Sequence, residues 1–223
     1  MIRACIFDLD GTLADTLATI ANFANCALKA HGYETIEEQK YKKLVGNGRD
    51  VLIERMLKLV GDEKLLGFEK VRKTYNDLYS SDIISTTKVF GGVKELLTEL
   101  KKRRIKIAVL SNKQHEIVPD IVKSLFGNGF FDACLGQMDT IPKKPAPDGA
   151  ELIAAQFDIP CNEWLYIGDT NVDIETGKAA RMTTVGVLWG FRDRDELEAA
   201  GADYIIDKPE EILEIIEREN IKQ

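Results

Sequence analysis

Ala4-Cys5-Ile6-Phe7-Asp8-Leu9-Asp10-Gly11-Thr12-Leu13-Ala14-Asp15 is the stretch whose reading decides the fold. The run from Ile2 to Phe7, apolar but for Arg3, reads as a buried strand that stops at two carboxylates. Asp8 and Asp10 are alternate residues, so on an extended chain both point to one side. Gly11 lets the backbone turn, and Thr12 adds a hydroxyl beside the acids. The C-terminal end of a strand is where open α/β sheets bind ligands. Carboxylates this close resist joint ionisation unless a cation neutralises them or one holds a proton. Taken alone, Asp-x-Asp-Gly is more simply read as an Asx-rich turn with both acids solvated.

Beyond Asp15 the pattern is helical to about Ser85. Leu17, Ile20, Ala21, Ala24 and Leu28 recur at helical spacing, and the run closes near His31-Gly32. Thr35 with Glu38 has the form of a capping box for a short helix through Leu44. After Gly46-Asn47-Gly48-Arg49 the periodicity resumes at Val51, Leu52, Met56 and Leu59, and a further helix is expected from about Glu63 to Tyr79. No strand is expected in this block, so residues 15–85 read as a helical insert. After Phe90-Gly91-Gly92, helices alternate with strands expected at 105–110, 131–135, 164–167, 183–188 and 203–206, with a terminal helix at 210–218. That alternation implies right-handed βαβ units and a parallel sheet. The fold class is therefore α/β: a doubly wound core from residues 1–14 and 86–223, carrying an all-helical cap.

Other strand ends carry polar groups that a parallel sheet would gather on one edge. Ser111-Asn112 follows one strand; a hydroxyl and backbone N–H groups there can hold a phosphate oxygen, although such a pair alone is most often a helix N-cap. In Lys143-Lys144-Pro145-Ala146-Pro147-Asp148 the prolines hold the preceding residues extended, presenting a lysine; the alternative is a surface loop. Gly168-Asp169-Thr170-Asn171-Val172-Asp173 places two acids after a buried strand, suited to a hard cation or to an acidic helix start.

Together, Phe-Asp-Leu-Asp-Gly-Thr-Leu-x-Asp, Ser111-Asn112, Lys144-Pro145-x-Pro147-Asp148 and Gly168-Asp169-Thr170-x-x-Asp173 resemble, in order, the motifs of the haloacid dehalogenase-like (HAD) phosphohydrolases. The helical block between the first and second motifs matches the C1-type cap of that family. The resemblance implies an aspartyl-phosphate mechanism, with Asp8 as nucleophile, Asp10 as general acid and base, and Lys144, not Lys143, as the cation. It implies Mg²⁺ held by Asp8, Asp169 and the backbone carbonyl of Asp10, with Asp173 acting through water or bracing Lys144. Thr12, Ser111 and Asn112 are then expected at the substrate phosphate. The loop at Gly46-Asn47-Gly48, with the Val51-Leu52-Ile53-Glu54-Arg55 that follows, resembles the cap loop of bacterial phosphoglycolate phosphatases, which puts Gly48 and Arg49 at the leaving group and makes 2-phosphoglycolate the expected substrate. A phosphosugar mutase, a pyrophosphatase or another small-molecule phosphatase on the same fold, and a non-catalytic phosphate-binding regulator, are the alternatives. Phosphonate cleavage would need a Schiff-base lysine from the cap, for which Lys40, Lys42 and Lys43 are available.

The bulk properties agree with a small-metabolite enzyme. The 223 residues suit one core plus an insert, and 44% hydrophobic with 30% charged residues is ordinary for a globular protein. A net charge of −7 argues against nucleic acid or an acidic membrane as partner, and Lys101-Lys102-Arg103-Arg104 reads as the basic end of a helix. The expected partner is a small phosphorylated metabolite, and the expected state is monomer or homodimer. Cys5, Cys26, Cys134 and Cys161 are scattered and read as reduced thiols. With no signal-like segment or membrane span in view, a cytoplasmic location is expected.

Overall fold

The computed structural model describes residues 1–81 and 87–221. In chain order these form β1 (Ala4–Phe7), β2 (Ala14–Asp15), α1 (Leu17–Ala30), α2 (Tyr41–Leu44), α3 (Arg49–Leu59), α4 (Phe68–Ser81) and β3 (Lys88–Val89). There follow α5 (Val93–Lys102), β4 (Lys106–Gln114), α6 (Val118–Phe126), β5 (Ala133–Gln137), α7 (Asp148–Gln156) and β6 (Trp164–Gly168). The chain continues through α8 (Asn171–Ala179), β7 (Thr183–Val187), α9 (Arg194–Ala199), β8 (Tyr204–Ile206) and α10 (Glu211–Ile221).

β1 is buried on both faces, which is why its sequence is continuously apolar rather than alternating. Cys5 and Phe7 join one hydrophobic layer with Leu96, Leu97 and Leu100 of α5, Ile121 of α6 and Ile215 of α10. Ala4 and Ile6 face the opposite layer, with Ile153 of α7, Trp164 and Tyr166. The sheet has six strands in the order β5-β4-β1-β6-β7-β8, every pair parallel. The chain runs outward from β1 through β4 to β5, then crosses back to β6, β7 and β8. The boundary between β1 and β6 is thus a topological switch point, where such sheets form their ligand crevice.

The helices between β2 and β3 have a core of their own. Ile20, Ala24 and Leu28 of α1, Ile53, Met56 and Leu57 of α3, and Val71, Tyr75 and Tyr79 of α4 pack around Tyr41, and Phe191 of the sheet domain reaches the same cluster. These helices, which fall in the block expected to form the cap, thus pack as a cluster distinct from the two layers on the sheet. The expected cap boundary at residues 85 and 86 lies outside the described residues.

Several local expectations need correction. The expected capping box is not made: residues Glu38–Lys40 form a 3₁₀ turn that leads into the short α2, and no side chain caps it. The third long cap helix starts at Phe68, not Glu63, because Asp62 holds a turn first, accepting from the backbone N–H groups of Leu66 and Gly67 and from the Tyr33 hydroxyl. Asp15, assigned to the all-helical block, pairs instead with Lys88 in a two-residue antiparallel ribbon. Two residues are too few to leave a periodic signal. β4 continues through Ser111-Asn112 to Gln114, so that pair is not a helix N-cap; α6 begins only at Val118.

Candidate active site

Because β1 lies between β4 and β6, the residues at their C-terminal ends meet. Asp8 leaves β1 with its N–H bonded to the Ile167 carbonyl at 2.9 Å. Gly11 then turns the chain at a φ of +90°. A Cβ there would lie 2.3 Å from an Asp169 carboxylate oxygen, so only glycine permits the two motifs to pack this closely. Thr12 Oγ1 donates to Asp169 Oδ1 at 3.0 Å and the Phe191 N–H donates to Oδ2 at 2.8 Å, fixing the second acid.

Lys144 lies beneath Asp8. Its ammonium donates to Asp8 Oδ1 at 2.8 Å, Asp173 Oδ1 at 2.7 Å and the Leu110 carbonyl at 3.1 Å, which engages all three of its donors. Lys143, by contrast, is exposed and reaches the Asn47 carbonyl at 3.3 Å. Asp173 closes a capping box at the start of α8: its Oδ2 accepts from both the N–H and the hydroxyl of Thr170. Both oxygens of Asp173 are therefore in use, which favours a bracing role over direct metal ligation. The Asn112 side chain joins the Lys144 backbone to the Gly46 carbonyl, linking the lysine loop to the Gly46–Gly48 loop. Arg192 reinforces that junction through the carbonyls of Lys42 and Val45.

Asp8, Asp10, Ser111 and Asn112 line a cavity of about 70 Å³ together with Gly48 and Arg49 of the cap. Gly48 is favoured there by its φ of +86°, and a Cβ would crowd the Asn112 carbonyl at 3.2 Å. Arg49 is bonded to Asp50 and Asn76 at the wall. Thr12, expected at the substrate phosphate, is buried, and its hydroxyl donates to Asp169. The cavity wall also holds residues that the sequence did not single out: Lys113, bonded to Asp10 Oδ1 and to the Tyr79 hydroxyl, both at 2.8 Å, and the cap residues Tyr75, Asn76 and Tyr79.

Asp8, Asp169 and Asp173 offer carboxylate oxygens all within 4.8 Å of one another, against the single ammonium of Lys144. Burial, opposed by Lys144 and aided by Asp173 and Asp10, pushes Asp8 up to about 7. Burial first, then Asp173 and Asp8, holds Asp169 well above the usual carboxylate range. For Lys144, burial works against the charge, but Asp173 and Asp8 outweigh it and keep the ammonium strongly protonated. Three buried acids facing one cation form an oxygen donor set short of positive charge. A divalent cation would leave it neutral, so the residues fit a hard metal ion.

This has a consequence for stability. Between about pH 4 and pH 7 the folded Asp8 binds more proton than its unfolded counterpart, so folding stability is full at the acid end and declines as pH rises. The melting temperature of EDTA-treated protein should fall from pH 5 to pH 7.5, and Mg²⁺ should raise it more at pH 7.5 than at pH 5. Calorimetry showing a flat or rising EDTA profile would contradict this charge assignment.

A parallel sheet in this order, with three buried acids and a lysine gathered at its C-terminal edge, is the frame of a hydrolase family. A model of the haloacid dehalogenase-like hydrolases matches residues 5–187, and the chain belongs to that family. Among its relatives, the phosphoglycolate phosphatase of Vibrio parahaemolyticus is 31% identical over 220 residues, covering 96% of both chains. That of Pectobacterium atrosepticum is 30% identical over 216 residues, covering 96% of this chain and 92% of the relative. A crystal structure of a candidate phosphoglycolate phosphatase from Lactobacillus delbrueckii subsp. bulgaricus superposes with a TM-score of 0.89 at 31% identity, covering 96% of this chain and 98% of the other. No helix among the described residues is long and apolar enough to cross a membrane.

Proposed function

We propose that the chain is a Mg²⁺-dependent phosphatase that hydrolyses a small phosphomonoester, with 2-phosphoglycolate as the favoured substrate. The observation that carries this reading is the pair Asp8 and Asp10 on one cavity wall, with Lys144 and Asp169 behind Asp8. Binding alone does not call for a nucleophile and a proton donor side by side. Asp8 and Asp169 would hold the metal, which supplies positive charge for the phosphoryl oxygens. Asp8 attacks phosphorus, forming an aspartyl-phosphate, while Asp10 gives its proton to the departing alkoxide. Asp10 then takes a proton from the water that attacks the acyl-phosphate, releasing inorganic phosphate and restoring Asp8. Lys144 offsets the repulsion between the Asp8 carboxylate and the phosphoryl group, and Asp173 holds Lys144 in place.

The cavity has room for roughly half a dozen water molecules, which suits a leaving group of a few heavy atoms. The relatives named as phosphoglycolate phosphatases support the choice among such substrates. Phosphate release from 2-phosphoglycolate should require Mg²⁺, stop in EDTA and need no added bisphosphate. A requirement for a bisphosphate activator would turn the assignment to a mutase, and hydrolysis of aryl phosphates alone would discard the substrate while keeping the chemistry.

A further inference from the structure

Lys113 has no part in the chemistry described above, yet it occupies the leaving-group side of the cavity. The pairing of β4 with β5 changes register between Leu110 and Gln114. Ser111, Asn112, Lys113 and Gln114 consequently all line the cavity, which a regular strand with alternating faces would not allow. The Lys113 side chain is 9% exposed and its ammonium sits between Asp10 Oδ1 and the Tyr79 hydroxyl of α4, at 2.8 Å from each. It also lies 4.9 Å from the centre of the Tyr79 ring. An ammonium has three donors, and those two bonds take two of them. Lys144, the other cation close to the acids, has all three engaged below the cavity floor.

The position fixes what the remaining donor can reach. Asp10 must approach the ester oxygen to about 3 Å to protonate it. Lys113 is bonded to that same carboxylate, so it adjoins whatever the ester oxygen carries one or two bonds further out. A carboxylate there would find a desolvated ammonium already oriented by Asp10 below and by Tyr79 from the cap. Resting on the phosphatase reading above, we propose that Lys113 is the specificity-determining residue, selecting phosphomonoesters whose leaving group bears a carboxylate next to the carbon that carries the ester oxygen. Recognition is then tied to cap position, since Tyr79 belongs to α4 and Asp10 to the core.

The test compares kcat/KM for 2-phosphoglycolate with that for propyl phosphate, which has a similar leaving group without the charge. Wild-type protein should prefer 2-phosphoglycolate by at least about 30-fold, the scale of one charge-assisted hydrogen bond, and lengthening the acid by one carbon should lose most of that preference. Lys113→Met should collapse the ratio towards one, and Lys113→Arg should restore part of it. A wild-type ratio near one would overturn the inference even if Lys113→Met failed to fold. Equal losses on both substrates in Lys113→Met would also overturn it, by showing that Lys113 acts only through Asp10. Neither of those results would touch the phosphatase reading, which fails separately if no phosphomonoester is turned over with Mg²⁺ present.

Discussion

Asp8→Asn should lower turnover of every phosphomonoester by about 10⁴-fold or more, because an amide oxygen cannot form the acyl-phosphate that the mechanism passes through. The loss should come without a loss of fold. Asp8 is buried where its own charge is disfavoured, as the rise of its pKa to about 7 records. A neutral, isosteric side chain relieves that crowding, so metal-free Asp8→Asn should melt no lower than metal-free wild type at pH 7.5. Mg²⁺ should also raise its melting temperature less than it raises that of wild type. Steady-state assays and calorimetry on the same preparations check all three statements. Substantial residual turnover would remove Asp8 from the role of nucleophile.

Lys144→Met should fail in a different way, losing both activity and stability. Lys144 is the only ammonium bonded to Asp8 and Asp173 among the described residues, and both carboxylates are buried. Breaking a buried ion pair from one side costs about 3–5 kcal/mol. For a chain of this size that corresponds to a fall in melting temperature of roughly 6–20 °C. The fall should be largest in EDTA and smaller in Mg²⁺, which would then be the remaining positive charge at the site. Adding Asp173→Asn should recover part of the stability by removing one stranded carboxylate, while leaving turnover low by about 10³-fold, because the charge facing the phosphoryl group is still missing. A Lys144→Met protein as stable as wild type in EDTA would show that the acids are not held by this lysine.

The parts of the site that could be read from sequence are those placed by regular strands. Asp8 and Asp169 each follow a fully buried apolar strand, and β1 and β6 are neighbours in the sheet. The resemblance singled out Lys144 over Lys143, and the two side chains differ in burial, the first buried and the second exposed. What escaped depends on irregular backbone and on long-range packing. Lys113 enters the cavity through a slip in strand pairing that no hydrophobic pattern encodes. Tyr79 looks like an ordinary helical core residue, and its contact with Lys113 joins residues 34 positions apart. The bond from the Thr12 hydroxyl, just past the turn at Gly11, reaches Asp169, 157 positions away. The late start of α4 follows from three bonds to Asp62, one of which comes from Tyr33.

The aspartyl-phosphate can be tested for directly by catching the phosphoryl group on the protein. Enzyme mixed with [³²P]2-phosphoglycolate and Mg²⁺ is quenched in acid within the first turnover, digested, and the labelled peptide sequenced by mass spectrometry. A hydroxylamine-sensitive label is expected on the peptide that contains Asp8, absent in EDTA and absent in Asp8→Asn. A label on any other residue, or full turnover by Asp8→Asn with no label at all, would contradict that expectation.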